Sequence, residues 1–338
     1  MAAKRALITG ITGMVGSHLA DYLLENTDWE IYGLCRWRSP LNNLQHLVPR
    51  MNTKDRLHLV YGELRDLISL NDVVKESRPD YVFHLAAQSY PTTSFSSPLD
   101  TFDTNIQGTT RLLDALLKCD NIDPLVHVCS SSEVFGRVSA ENLPIDEENN
   151  FHPASPYAIS KVGTDLVGRY YAEAYDMKVM VTRMFTHTGP RRGDVFAEST
   201  FAKQIAMIEA EQIPPVVKTG NLNSMRTWSD VRDAVRAYYM LLTVNPIPGE
   251  YYNIGGTYSC TVGDMLQHLL SLSTRKDIEV QTEQGRIRPI DADLQVPDTT
   301  KFQTHTGWQP EIPFEQTMQN LLDYWREQIA NGEKFTTR

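Results

Sequence analysis

The stretch Ala6–Gly16, ALITGITGMVG, decides the fold. Residues 4 to 10 read as a buried strand, and residues 17 to 25 read as a helix with Leu19, Leu23 and Leu24 on its apolar side. Between them Gly10, Gly13 and Gly16 fall at GxxGxxG spacing. Such glycines permit a tight turn, close approach of the backbone to a pyrophosphate and close helix packing, with the diphosphate at the helix N-terminus. The pattern alone also fits an ordinary strand–helix turn. Its place at the first strand–helix junction of an alternating chain makes Gly10, Thr12, Gly13, Met14, Val15 and Gly16 candidate dinucleotide contacts.

Outward from this turn the alternation continues. Strand-like EIYGLCR, LHLVYG, YVFHLAA, LVHVCSSS and KVMVTRMF are separated by helix-like LNDVVKES, GTTRLLDALLK and the segment bearing Tyr157 and Lys161. Strand and helix taking turns imply a parallel sheet covered on both faces, the α/β doubly wound class. From His187 to about Asn223 the chain turns rich in Pro, Gly and charge, and strand-like GEYYNIGG precedes an amphipathic TVGDMLQHLLSL. The expected division is a dinucleotide-binding domain over 1–183 with a return segment at about 227–257, and a smaller lobe over 184–226 and 258–338. No internal repeat occurs, and only the tail NGEKFTTR approaches low complexity.

The end of the second strand reads GLCRWRS. It offers no carboxylate for a ribose 2′-hydroxyl but provides Arg36 and Arg38 for a 2′-phosphate, which favours NADP over NAD. Two solvated arginines are the plain alternative. Glu63 and Leu64 stand where an adenine could rest, and Leu85, Ala86 and Ala87 leave room near the diphosphate.

SSSEVFG and SPYAISK bring a hydroxyl, a carboxylate, a phenol and an ammonium into one reading: Ser131, Glu133, Tyr157 and Lys161. A Tyr and a Lys four residues apart share a helix face, so the ammonium can stabilise a tyrosinate. Redox at a sugar carbon needs the hydroxyl, Tyr and Lys; Glu133 adds a second acid/base group. Glu133 could instead cap its turn or orient a substrate hydroxyl.

The 338 residues are 41% hydrophobic and carry a net charge of −10, which argues against nucleic acid as the main partner. An anionic small ligand would need a local basic pocket, for which Arg183, Arg191, Arg192, Lys203, Arg226 and Arg288 are candidates. Arg226 and Arg288 are expected on loops, where arginine forks clamp phosphate, and Lys203 on a helix. Taken singly, each reads as a solvated side chain. The four cysteines, Cys35, Cys119, Cys129 and Cys260, include no CxxC, so buried free thiols are expected. The nine histidines lack metal-ligand spacing, and His84 and His127, inside apolar strands, read as satisfied core residues; no metal site is expected. No apolar run of membrane-spanning length occurs, and MAAKRALITG is too short and glycine-broken for a signal peptide, so the expectation is a cytoplasmic protein without membrane partners.

With GxxGxxG, HLAAQS, SSSEVFG, YxxxK, TRMFTHTGPRRG, GNLNSMRTWSDVRDAVRAY, YYNIGG and RPxDxD in this order, the chain resembles, nearly end to end, the extended short-chain dehydrogenase/reductases of nucleotide sugars. Within them it is most similar to the GDP-mannose 4,6-dehydratases and the GDP-4-keto-6-deoxy-mannose reductases. The resemblance implies a Rossmann fold, an NADP cofactor, a GDP-sugar substrate and a homodimer or homotetramer. It maps the hydroxyl to Ser131, the acid/base carboxylate to Glu133 and the Tyr/Lys pair to Tyr157 and Lys161. It also implies cofactor contacts at His187 and Arg192, and substrate contacts at Ser89, Thr186, Lys203, Arg226 and Arg288, with Asp291 near the ribose. Two positions depart from the dehydratase pattern: Ser131 replaces the usual Thr, and Thr186 replaces an Asn. HTGP is closer to the reductases' wording.

The activity this implies is dehydration by internal redox chemistry, giving a 4-keto-6-deoxy sugar without net cofactor consumption. Reduction of a 4-keto-6-deoxy sugar, or epimerisation at C4, uses the same site with Glu133 only orienting the substrate. A non-catalytic dinucleotide-binding scaffold is a further alternative, although this chain keeps both Tyr157 and Lys161.

Overall fold

A computed structural model describes residues 3–53, 55–286 and 292–332. The chain opens with β1 (Arg5–Thr9), α1 (Met14–Asn26), β2 (Glu30–Cys35), β3 (Leu57–Tyr61), α2 (Leu67–Ser77) and β4 (Tyr81–His84). Two short helices, α3 (Pro91–Ser96) and α4 (Pro98–Phe102), lead through a π-helical turn at Asp103–Gln107 into α5 (Gly108–Leu117). Then come β5 (Leu125–Cys129), α6 (Pro156–Tyr175) and β6 (Val179–Met184). Next are β7 (His187–Thr188), α7 (Ala197–Glu209), β8 (Val216–Thr219), β9 (Met225–Asp230), α8 (Val231–Thr243) and β10 (Tyr251–Ile254). β11 (Tyr258–Thr261), α9 (Val262–Ser271), β12 (Glu279–Thr282), β13 (Leu294–Gln295), α10 (Thr300–Thr306) and α11 (Phe314–Ala330) follow.

Seven strands form one parallel sheet in the order β3-β2-β1-β4-β5-β6-β10. Its strands are apolar runs rather than alternations because both faces are covered. On one face Leu19 and Leu23 of α1 meet Tyr238 and Leu241 of α8; on the other, α2, α5 and α6 pack through Leu70, Leu112 and Tyr171. Each fully buried leucine contributes about 2 kcal/mol of transfer free energy. This is the doubly wound class that the alternation predicts. Its ligand crevice lies beyond the carboxyl ends of the strands, beside β1 and β4 where the strand order reverses.

After β6 the chain builds a second core, in which Phe201 and Ile205 of α7, Met265 and Leu269 of α9, and Met318 and Leu322 of α11 enclose Trp228. β9 lies centrally in a small sheet with β7, β11 and β13. Arg226 therefore stands in a strand, not in the loop expected from sequence: the Pro- and Gly-rich approach ends before β9 begins, and β9 is paired on both sides. Arg288 and Asp291 lie outside the described residues. No helix among the described residues is long and apolar enough to cross a membrane.

Candidate active site

The glycine turn makes a cradle. Gly10 has φ +73, and a Cβ there would stand 2.9 Å from the Cα of Ala86; one on Gly16 would stand 2.3 Å from the Gly10 carbonyl oxygen. Only hydrogen fits at either position. The N-cap of α1 is Gly13, so no side chain closes that helix end, and the amides of Thr12, Met14 and Val15 surround it. The chemistry of this donor set suits a diphosphate.

The turn is tied to α6, the helix of Tyr157 and Lys161, through the core. Thr9 Oγ1 accepts the amides of Leu85 at 3.1 Å and Ala86 at 3.0 Å. Its proton therefore goes to Nδ1 of His84 at 2.9 Å, which leaves Nε2–H to donate to Thr109 Oγ1 at 2.9 Å. Thr109 donates to the Asn105 carbonyl at 2.6 Å, and Asn105 Nδ2 donates to Ser160 Oγ at 2.8 Å, between Tyr157 and Lys161. Burial, with Lys161 nearby, pushes His84 down to about 3, as a neutral tautomer requires. His127 is equally buried and pushed down to about 3, but it is only half satisfied: Nε2 meets Thr182 Oγ1 at 2.8 Å while Nδ1 has no partner. Asn105 escaped the sequence reading, although a π-turn in mid-helix often marks a functional position.

The N-terminus of α6 is fixed by two hydroxyls. Pro156 removes one donor, Ser155 Oγ accepts from Ala158 N at 3.0 Å, and Ser94 Oγ of α3 accepts from Tyr157 N at 3.0 Å. At the end of β5 the chain enters a 3₁₀ turn, where Ser131 Oγ accepts from Glu133 N at 3.2 Å. The Ser131 hydroxyl also meets the Tyr157 phenol. Ser131, Tyr157 and Lys161 are buried, whereas Glu133 is half-buried and its carboxylate has no hydrogen-bond or ion-pair partner among the described residues. Burial drives the phenol above its ordinary value; Ser131 and the Arg192 guanidinium oppose that rise, and Glu133 adds to it. Lys161 is pushed down by burial, and its Nζ donates to the Cys129 carbonyl at 2.7 Å.

Other sequence candidates stand as follows. Arg36 and Arg38 are exposed just past β2, and Leu64 is buried beneath Gly108 while Glu63 remains half-buried. Leu85, Ala86 and Ala87 are partly exposed, and Ser89 is exposed. The Thr186 carbonyl accepts from Ser229 N at 3.0 Å, and the His187 ring contacts the Phe185 carbonyl at 3.1 Å. Burial and Arg192 push His187 down to about 4. Arg192 donates to Glu198 at 2.9 Å, with its guanidinium 3.5 Å from the Phe196 ring centre. Lys203 is buried on Asp194 at 2.9 Å, and Arg226 donates to the carbonyls of Met225 and Ala292. A diphosphate would have to exchange with these internal partners.

Two basic candidates are structural. Arg183 is buried, paired with Asp165 at 2.8 and 3.1 Å and packed against Phe151 and Tyr251, because a guanidinium removed from water requires a carboxylate. Arg191, at φ +67, binds Asp21 of α1 at 2.7 Å. The four cysteines are free, and no His, Cys, Asp and Glu cluster among the described residues could hold a metal.

This fold, glycine cradle and Ser/Tyr/Lys geometry define an extended short-chain dehydrogenase/reductase. Residues 7–321 match the family model described as GDP-mannose 4,6 dehydratase, and the chain belongs to that family. It is 32% identical to GDP-mannose 4,6 dehydratase of Drosophila melanogaster, over 94% of this chain and 85% of the relative. It is also 32% identical to GDP-mannose 4,6 dehydratase 1 of Arabidopsis thaliana, over 98% and 92%. Among solved structures it is similar to RMD from Pseudomonas aeruginosa complexed with NADPH, at TM-score 0.81 and 27% identity, over 96% of this chain and all of that one. DesIV, a dTDP-glucose 4,6-dehydratase from Streptomyces venezuelae with NAD and TYD bound, gives 0.82 and 25%, over 97% and 99%.

Proposed function

We propose that this protein is an NADP-dependent GDP-mannose 4,6-dehydratase that forms a GDP-4-keto-6-deoxy sugar. The observation that carries the reading is Glu133: a carboxylate with no hydrogen-bond or ion-pair partner among the described residues, beside the Ser131–Tyr157 pair. A simple reductase needs no such group. The glycine cradle fits the dinucleotide, and Arg36 and Arg38, without a carboxylate at the end of β2, support NADP as its form.

Tyr157 accepts the proton of the sugar's 4-hydroxyl while Ser131 holds that oxygen by hydrogen bond. A nicotinamide dinucleotide held at the cradle of Gly10, Gly13 and Gly16 would supply a hydride acceptor for C4 and a hydride donor for C6, with no net change over the cycle. The 4-ketone acidifies the proton at C5, which Glu133 removes and then delivers to the 6-hydroxyl as it leaves as water. Hydride addition at C6 leaves an enolate across C4 and C5, and Tyr157 delivers its proton to C5, which completes the 4-keto-6-deoxy sugar and regenerates the phenolate. Lys161, held on the Cys129 carbonyl, supplies from the same face of α6 the positive charge that favours the ionised phenol.

The small lobe takes the nucleotide, with Lys203 and Arg226 meeting the diphosphate and Ser89 and Thr186 the sugar side. The outer face of α6 carries Ile159, Leu166 and Tyr170, 46%, 50% and 55% exposed, at spacings of one helix face. This face receives a second copy of the chain in a homodimer or homotetramer. Incubating the purified protein with GDP-mannose and NADP tests the function: mass spectrometry should show loss of one water from the sugar with no lasting rise in reduced-nicotinamide absorbance. Steady oxidation of added NADPH on a 4-keto sugar, with GDP-mannose untouched, would sink it in favour of a reductase.

A further inference from the structure

Of the five tryptophans, Trp29, Trp228, Trp308 and Trp325 are buried, while Trp37 is 77% exposed. Its indole makes one ring contact, an edge-to-face approach to Tyr61 at 5.4 Å and 70°, and Tyr61 is itself 50% exposed. An aromatic pair this large, left in water, calls for a partner. Trp37 lies just past the carboxyl end of β2 and Tyr61 closes β3, with the register setting Cys35 beside Tyr61. Ligands of doubly wound sheets bind outside those strand ends. On either side of Trp37 stand Arg36 and Arg38, both exposed and neither paired with an acid among the described residues. A flat ring face between two uncommitted cations fits a planar base that carries phosphate.

We propose that Trp37 is the stacking wall for the cofactor's adenine, braced at its edge by Tyr61, with Arg36 and Arg38 taking the phosphate on the adjoining ribose. The proposal rests on the reading of NADP as the cofactor and adds a residue to it. Stacking asks only for a π-face, so Trp37 supplies affinity while the two arginines select the phosphate. A contact between copies of the chain is the competing use of the same indole.

Trp37 is the exposed indole of the chain, so its emission reports the site directly. Adenosine 2′,5′-bisphosphate, titrated into the full-length protein, should quench the acrylamide-accessible emission, while nicotinamide mononucleotide should leave it unchanged. Trp37→Ala should weaken the bisphosphate about tenfold, and Trp37→Phe should restore it to within about threefold. Circular dichroism of both variants establishes that they are folded. Tight binding without quenching, or a Trp37→Ala protein that binds as tightly as the wild type, overturns the stacking role. A Trp37→Ala protein altered in sedimentation alone also overturns it and assigns the indole to a copy–copy contact. If 5′-AMP binds and quenches as well as the bisphosphate, stacking stands while the NADP reading fails.

Discussion

Lys161 donates its Nζ proton to the backbone carbonyl of Cys129 at 2.7 Å, which fastens the ammonium of α6 to the last residue of β5. Two elements of the proposed catalytic set are thereby joined, since Ser131 stands two residues beyond Cys129. The sequence spacing implies a Tyr–Lys pair on one helix face; the structure adds that the sheet sets the cation's depth. Ser130 strengthens the junction by donating to the Lys161 carbonyl at 3.1 Å.

Glu133 has one duty in the proposed cycle, proton transfer at C5 and the 6-hydroxyl. Glu133→Gln keeps the shape and removes the acid/base function, so water elimination should fall by about 10²–10⁴-fold while cofactor affinity is kept. Mass spectrometry of the sugar product, beside a cofactor titration, reads both. Elimination at the wild-type rate would remove Glu133 from the mechanism.

Arg192 should set the pH at which Tyr157 works. Its guanidinium favours the phenolate, opposing burial, so Arg192→Gln raises the phenol's pKa further. A base must be ionised to act; the rising limb of the kcat–pH profile therefore moves to higher pH in the variant at saturating cofactor. Matching limbs in the two proteins would show that Arg192 does not act on the phenol.

Ser94 caps α6 from outside it. Ser94→Ala leaves the Tyr157 amide buried and unpaired, at about 1–3 kcal/mol, and frees the turn that aims the phenol. The expected result is a lower kcat with KM little changed, partly restored by Ser94→Thr. Loss of melting temperature with kcat intact would reduce Ser94 to a packing role.

The sheet was legible because buried parallel strands write themselves as apolar runs, and β1 through β6 and β10 all do. The local Tyr157/Lys161 spacing was legible for the same reason, one helix period. What stayed hidden depends on partners remote in sequence. Ser94 acts on a residue 63 positions away and carries no motif, and His84, although it opens HLAAQS and reads as a core residue, meets a partner 25 positions away that no spacing announces. Arg183 reads as a free cation until Asp165 is seen against it. Arg226 reads as a loop residue because its strand is polar, stabilised by pairing with β11 and β13 rather than by an apolar run.

Buried histidines should make the fold acid-sensitive. His84 and His127 titrate near 3 when folded, against 6.5 ordinarily. Between those values the unfolded chain binds protons that the folded chain refuses, so stability is full above about pH 7 and falls as pH drops through the window. Each histidine contributes a slope of about 1.4 kcal/mol per pH unit there. Carboxylates held low, such as Glu209 near 2 against 4.5 ordinarily, add their own loss only below about pH 5. Urea unfolding of wild type and His127→Gln at several pH values between 7 and 5 isolates one histidine's share, because the other groups are common to both. The variant's stability should fall less steeply by about 1.4 kcal/mol per unit; parallel slopes would mean that His127 is already protonated in the fold, with its unpartnered Nδ1 carrying the proton.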